Sequence, residues 1–195
     1  MYEVSEMAML RSQHTSVLSE SDPVRAIEGH RSLAEKGSSQ AMLRLAWAYQ
    51  KGIGVPADWD QAEYWYRRAF DAGPDRDKRL VTYYFGSFYL ARKDFPKANE
   101  WFSVGAAMAF GPSINCLGRM YRDGLGVERR VDRARELFEQ AAALGNLIAR
   151  RNLVRLFMSG RLGLPGIFHG IRLLMRFTAE AISWSRHLRD EDFMG

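Results

Sequence analysis

The side chains best placed to do chemistry here are a glycine loop, one cysteine, four histidines and an arginine-rich C-terminal half. GIGVPA at 52–57 has the spacing of a dinucleotide-binding turn, in which glycines let the backbone approach a pyrophosphate. That turn follows a strand, whereas this one follows a helical pattern and recurs as GLGVER at 124–129. It therefore reads as a helix–helix turn, and no cofactor is expected. Cys116, the single cysteine, has no histidine placed beside it by the pattern, so it reads as a small buried residue rather than a nucleophile. A single cysteine also rules out an intramolecular disulfide or a cysteine-based zinc site. His14, His30, His169 and His187 are scattered, and His30 falls in a helical stripe as a packed core histidine. Glu136 and Glu139 lie beside Arg133 and Arg135 and read as pairing along a helix, not as an acid/base couple. No catalytic, metal or cofactor residue is expected, and the chain is not read as an enzyme.

The arginines carry the remaining chemistry. Residues 1–110 hold 14 Lys+Arg against 14 Asp+Glu; residues 111–195 hold 14 against 9, all 14 being arginine, which is the whole of the net +5. Arginine presents a planar fork that matches carboxylates and phosphates. Nucleic acid is a weak alternative, because Asp123, Glu128, Asp132, Glu136 and Glu139 break up the basic run. With 47% hydrophobic and 26% charged residues, 195 positions make one globular domain with a sizeable core. The N-terminal stretch is acidic where a signal peptide wants cations, and Arg172, Arg176 and Glu180 interrupt the most apolar window, 162–184. The expected location is cytoplasmic, with no spanning helix.

The elements that hold these residues follow from an internal period. LAWAYQKGIGVPADWDQAEYWYRRAFDAG at 45–73 aligns without a gap on LGRMYRDGLGVERRVDRARELFEQAAALG at 117–145, an offset of 72 residues. Ala26, Ala62, Ala98 and Ala134 recur every 36 residues, and Ile171 is read as the next anchor after 37. Each anchor opens a stripe at i, i+3, i+4, i+7, i+8 and i+11, as in Ala62, Trp65, Tyr66, Ala69, Phe70 and Gly73. Small residues in the stripe let a neighbouring helix come close, and the large pair fills the space between them. Asp22, Asp58 and Asp94 stand four residues before their alanines as helix N-caps. The copy at 75–111 lacks the glycine loop and has a connection four residues shorter; its VTYYFGSFYL segment is β-rich by propensity but is read as a helix because the period requires one.

A helix pair every 36 residues, with L-[GA]-x-x-Y-x-x-G-x-G-V and then Asp four before Ala, resembles the Sel1-like repeat, a relative of the tetratricopeptide repeat. The resemblance covers about residues 22–182. It implies an all-α, right-handed α-α superhelix of about four helix pairs, with an N-terminal helix and a capping tail. As one domain this divides into 1–36, 37–73, 74–110, 111–145, a degenerate copy at 146–182, and a tail at 183–195. It further implies a bacterial-type adaptor or scaffold that binds a partner protein or peptide in a concave groove lined by first helices. Bacterial relatives often accompany exopolysaccharide or secretion assemblies.

Residues two before and two after each first-helix leucine are expected to face that groove: Leu43 and Trp47, Tyr83 and Ser87, Asn115 and Arg119, Arg151 and Arg155. Gln50 and Arg122 lie one turn further. The groove would run from aromatic to arginine-rich, suiting an extended partner with apolar residues and an acidic or carboxylate-bearing stretch. The second expected contact is the C-terminal helix, whose inward stripe is read as Ile171, Leu174, Met175, Thr178, Ala179 and Ile182. That leaves Leu164, Ile167, Phe168, Leu173, Phe177 and Trp184 as apolar excess beside Arg172 and Arg176. This excess packs under the tail, forms a homodimer or partner contact, or, as the less favoured reading, rests on a membrane surface.

Overall fold

The computed structural model describes residues 23–159, 165–177 and 179. These residues form nine α-helices and no strand: α1 (Pro23–Glu35), α2 (Ser39–Lys51), α3 (Trp59–Ala72), α4 (Asp75–Ala91), α5 (Phe95–Ala107), α6 (Gly111–Asp123), α7 (Val131–Ala143), α8 (Leu147–Met158) and α9 (165–177). The β-rich segment is helical throughout α4. Packing decides this: Val81, Phe85, Phe88 and Tyr89 are buried at helical spacing, so tertiary contact overrides propensity.

Helices α2 to α7 form three antiparallel hairpins, α2–α3, α4–α5 and α6–α7, with α8 and α9 following and α1 preceding. Together they wind into a right-handed α-α superhelix. First helices of successive pairs touch each other (α2 with α4, α4 with α6, α6 with α8), while second helices make no comparable contact among the described residues. The layer with the closer spacing is the inner one, which makes the first helices the concave face. One cluster of buried residues runs from Ile27 to Ala149, and a second joins Ala134 and Phe138 to Leu153, Leu156 and Phe157.

The stripe packs as its periodicity implies. Ala62, Ala98 and Ala134 are fully buried, as are Tyr66, Phe102 and Phe138. The glycine after Phe85 in α4 and after Leu117 in α6 makes room for the large residue opposite. A Cβ at Gly86 would lie 2.6 Å from the Phe102 ring, and one at Gly118 2.8 Å from the Phe138 ring. The same contact thus recurs 36 residues on in the second helices but only 32 in the first, the four-residue shortening of the middle connection.

Both glycine loops have one geometry. Gly52 and Gly124 lie at φ 71° and 72°, Gly54 and Gly126 at φ 68°, and Asp58 N–H donates to the Tyr49 carbonyl as Arg130 N–H does to that of Tyr121, each at 2.9 Å. The second glycine is pressed against the first residue of the preceding second helix. A Cβ on Gly54 would come 2.5 Å from the Pro23 carbonyl oxygen, and one on Gly126 2.5 Å from Phe95 Cβ. Those first residues, Pro23, Trp59 and Phe95, stand 36 apart. In the loopless copy Trp59 meets the end of α4 instead, its ring 5.3 Å from Phe88 and 5.9 Å from the Arg92 guanidinium.

Asp58 and Asp94 cap α3 and α5, accepting from Gln61 N and Lys97 N; Asp22 lies outside the described residues. At the end of the chain the expected register is off by one. The residue that takes the anchor place is Gly170, 36 after Ala134: it is buried, and a Cβ there would lie 2.8 Å from Phe157 Cβ. Ile171, Leu174 and Met175, read as inward, are exposed, while Leu173 packs on the α7–α8 cluster. One residue turns a helix by about 100°, which is enough to exchange the two faces. Leu164, Thr178, Ile182 and Trp184 are outside what the structure describes.

Candidate functional site

No group of three or more His, Cys, Asp or Glu among the described residues is arranged to hold a metal ion, and no described helix is long and apolar enough to cross a membrane. Cys116 is buried on α6, and burial pushes its thiol up to about 11 against the opposing charge of Arg119, so it is protonated and unreactive near neutrality. His30 is buried on α1. Glu136 pairs with Arg133 at 2.8 Å and Glu139 with Arg135 at 3.0 Å, so both are charge partners along α7.

What the fold assembles is a surface. The first helices carry ten cationic side chains, two on α2, three on α4, two on α6 and three on α8, against three acids, Asp75, Asp77 and Asp123. The second helices α1, α3, α5 and α7 carry seven cations against nine acids. The first-helix layer is therefore net positive and the second-helix layer slightly negative, although Lys78 and Arg150 lie over the rings of Phe70 and Phe177 on second helices. Ion pairing follows the same division. Of the six ion pairs among the described residues, only Arg122–Asp123 lies within the first-helix layer; Glu63, Asp94, Glu136 and Glu139 hold the other five. A hydrogen bond from Arg122 to Asp123 raises the arginine's proton affinity further. Arg119, Arg151 and Arg155 are exposed and make no ion pair among the described residues.

The expected groove residues divide into two sets. Leu43 and Asn115, each 5% exposed, belong to the interior, which corrects their placement as lining. Asn115 sits where α6 meets α8, and its side-chain oxygen accepts from Asn152 Nδ2 at 2.8 Å. The pair ties successive first helices and needs no ligand to be satisfied. Gln50 is half-buried and accepts from the Tyr66 hydroxyl at 2.7 Å, and Ser87 donates to the Tyr83 carbonyl, so both are engaged within the fold. Trp47, Tyr83, Arg119, Arg122, Arg151 and Arg155 remain at least partly accessible on first helices.

Tyr83 marks the junction of the aromatic and basic stretches. It stands edge-on to Tyr84, with ring centroids 5.4 Å apart. Burial pushes its hydroxyl up to about 12, Cys116 adds to this, and Arg119 draws it down. Arg119 thus lies within electrostatic reach of Tyr83 from the next repeat. Residue-by-residue spacing missed the Asn115–Asn152 pair and the division of charge between layers. Counting charges helix by helix would have found the second.

At the C-terminal contact, Phe168 is 71% and Met175 66% exposed, and Arg172 and Arg176 are exposed with them. Ile167 and Leu173 are half-buried, and Phe177 lies under the Arg150 guanidinium at 5.1 Å.

Comparison with known proteins bears on the fold that carries these surfaces. The Sel1 repeat family matches residues 39–74, 81–109 and 115–146, which take in the three glycine-loop and loopless hairpins. An uncharacterized protein of Neisseria meningitidis serogroup B is 28% identical over 135 residues, covering 68% of this chain and 27% of that one. The crystal structure of a protective antigen present in uropathogenic Escherichia coli strains, displaying an SLR fold, superposes with a TM-score of 0.65 at 23% identity, over 82% of this chain and 34% of that one. A Sel1 repeat protein from Oxalobacter formigenes superposes with a TM-score of 0.61 at 24% identity, over 78% of this chain and 62% of that one. The chain thus spans 27% of the curated relative's length, and the structural likeness speaks for the fold.

Proposed function

This chain belongs to the Sel1 repeat family, whose members are typically protein-interaction scaffolds and generally not enzymes, and from that premise we propose that it binds a partner protein or peptide along its first-helix layer. The partner is an extended segment with an acidic stretch that meets Arg119, Arg151 and Arg155 and apolar residues that meet Tyr83 and Trp47. The observation that carries this reading is the charge division: the first helices hold ten cations against three acids, and Arg119, Arg151 and Arg155 make no ion pair among the described residues. In the cytoplasm, where we place the protein, such a surface attracts acidic segments at long range and orients them.

The test uses a fluorescent peptide of eight glutamates followed by Phe-Met, titrated into the full chain at several salt concentrations. Binding should weaken as salt rises, and Arg119→Glu combined with Arg155→Glu should lower affinity at least tenfold with unchanged circular dichroism. Equal affinity in the variant would overturn the reading. Tighter binding of a single-stranded oligonucleotide of the same length would also overturn it, in favour of nucleic acid.

A second reading rests on Phe168 and Met175, exposed beside Arg172 and Arg176 on α9: the protein self-associates or meets another assembly through this helix. Light scattering of Phe168→Ser/Met175→Ser decides it, since a self-associating chain should lose its larger species while keeping its helicity.

A further inference from the structure

The cationic layer has a candidate occupant within the same chain. The segment 186–195 reads RHLRDEDFMG, in which three consecutive acids, Asp190, Glu191 and Asp192, are followed by Phe193 and Met194. We propose that segment 190–194 docks on the first-helix layer of its own chain, the three acids against Arg155 and Arg119 and Phe193 against Tyr83, so that it competes with an outside partner. This rests on the cationic-layer reading above and names an internal regulator of it.

Three observations support the docking. The first is charge. In the C-terminal half, Glu136 and Glu139 are already paired on the outer layer and Asp123 is paired with Arg122, whereas Arg119, Arg151 and Arg155 have no acidic partner among the described residues. The densest run of acids in the whole chain is 190–192.

The second is order. Helix α9 runs antiparallel to α8, and late in it the Phe177 ring lies 5.1 Å from the Arg150 guanidinium. A chain leaving that point and following the concave face meets Arg151 and Arg155 first, then Arg119, then Tyr83. The tail presents its side chains in the same sequence, acids before aromatic. A tail with Phe-Met ahead of its acids would set apolar groups on the arginines and acids on the tyrosines.

The third is reach. Ten residues lie between Ala179 and Asp190, eleven chain steps that span at most about 36 Å, while neighbouring first helices in contact lie about 10 Å apart. The span is ample and the tether short. A docking segment carried on its own chain acts at a high effective concentration, so even a weak contact between three carboxylates and exposed guanidinium groups occupies the layer.

Two measurements on the full chain test this. In the first, the octaglutamate–Phe-Met probe is titrated into Asp190→Asn/Glu191→Gln/Asp192→Asn. Affinity should rise about three- to tenfold as the internal competitor is lost. Asp71→Asn/Glu100→Gln/Glu128→Gln makes the same change in net charge at exposed sites elsewhere and should raise it much less. In the second, Phe193 is replaced by p-benzoylphenylalanine and irradiated in dilute solution. Cross-links should map within one chain to α4 and α6, independent of protein concentration. Cross-links confined to other surfaces or to a second chain, or a tail variant no different from its charge-matched control, would overturn the proposal. If the probe binds the unaltered chain tightly with neither effect seen, the groove reading stands without the tail. If the cross-links map as expected and no probe binds either form, the tail docks and the reading of an outside acidic partner fails.

Discussion

The hairpins α2–α3 and α6–α7 share a glycine loop, while α4–α5 between them has none, and the same superhelix accommodates both. In the outer two, Gly54 and Gly126 let the loop backbone press on the first residue of the preceding second helix. In the middle one a side chain makes the connection: Trp59 reaches Phe88 and Arg92, and Glu63 accepts from the Tyr89 hydroxyl at 2.8 Å. Around them Phe85 stacks between Tyr66 (5.3 Å) and Tyr89 (4.9 Å) and lies 4.4 Å from Trp101. A stacked repeat needs its neighbour-to-neighbour contact, and that contact can be made by backbone closeness or by aromatic bulk. Each solution is brittle in its own way.

The largest expected effect lies in the backbone solution. Gly126→Val places a branched side chain at φ 68° with its Cβ 2.5 Å from Phe95 Cβ and 2.9 Å from the Phe95 carbonyl carbon. Left-handed strain and overpacking together should cost about 2–4 kcal/mol. Urea denaturation should show the midpoint fall accordingly; a loss below about 0.5 kcal/mol would mean the loop is not pressed on α5 as described.

A smaller loss is expected from the aromatic solution. Trp59 is 39% exposed, so Trp59→Ala removes only part of a large side chain from contact, together with its stacking and the Arg92 interaction. About 1–2 kcal/mol should be lost, with helicity retained. An unchanged midpoint would show that Trp59 does not substitute for the absent loop, and the contrast between the two kinds of hairpin would lose its physical basis.

Most of this architecture was legible because a 36-residue period constrains many residues at once. The recurrence of Ala62, Ala98 and Ala134 fixed the second helices, and even the β-rich α4 had to be helical to keep step. Where the pattern was degenerate, a single residue decided. Reading Ile171 instead of Gly170 as the anchor reversed the faces of α9, because glycine in a stripe looks like a gap until its neighbour Phe157 is seen against it. The candidate surface was less legible for a related reason. Residues were assigned to it by spacing from the leucine, and spacing cannot tell a groove-facing position from one between neighbouring first helices, where Asn115 meets Asn152. The division of charge between layers was present in the sequence all along, hidden by comparing halves of the chain rather than alternate helices.

The smallest expected effect has the opposite sign, and it sharpens the contrast most. Among the described residues two non-glycines have positive φ, Lys93 at 61° and Ala109 at 54°, and both flank α5 in the loopless hairpin. The turn that Ala109 closes is closed after α1 and α7 by Gly37 and Gly145, at φ 92° and 89°. Ala109 is exposed, so its methyl group contributes little packing, while the left-handed conformation costs an L-residue about 1–2 kcal/mol. Ala109→Gly relieves that cost and loses part of the gain to the greater freedom of the unfolded chain. The net should be a stabilisation of about 0.5–1 kcal/mol, read as a higher urea midpoint with an unchanged slope. Ala107→Gly, two residues earlier in the last turn of α5 and also exposed, should instead destabilise by about 0.5–1 kcal/mol, because glycine there only adds freedom to the unfolded state. If both substitutions destabilise, Ala109 is held by contacts rather than strained, and the middle hairpin would have no latent stability to recover at that turn.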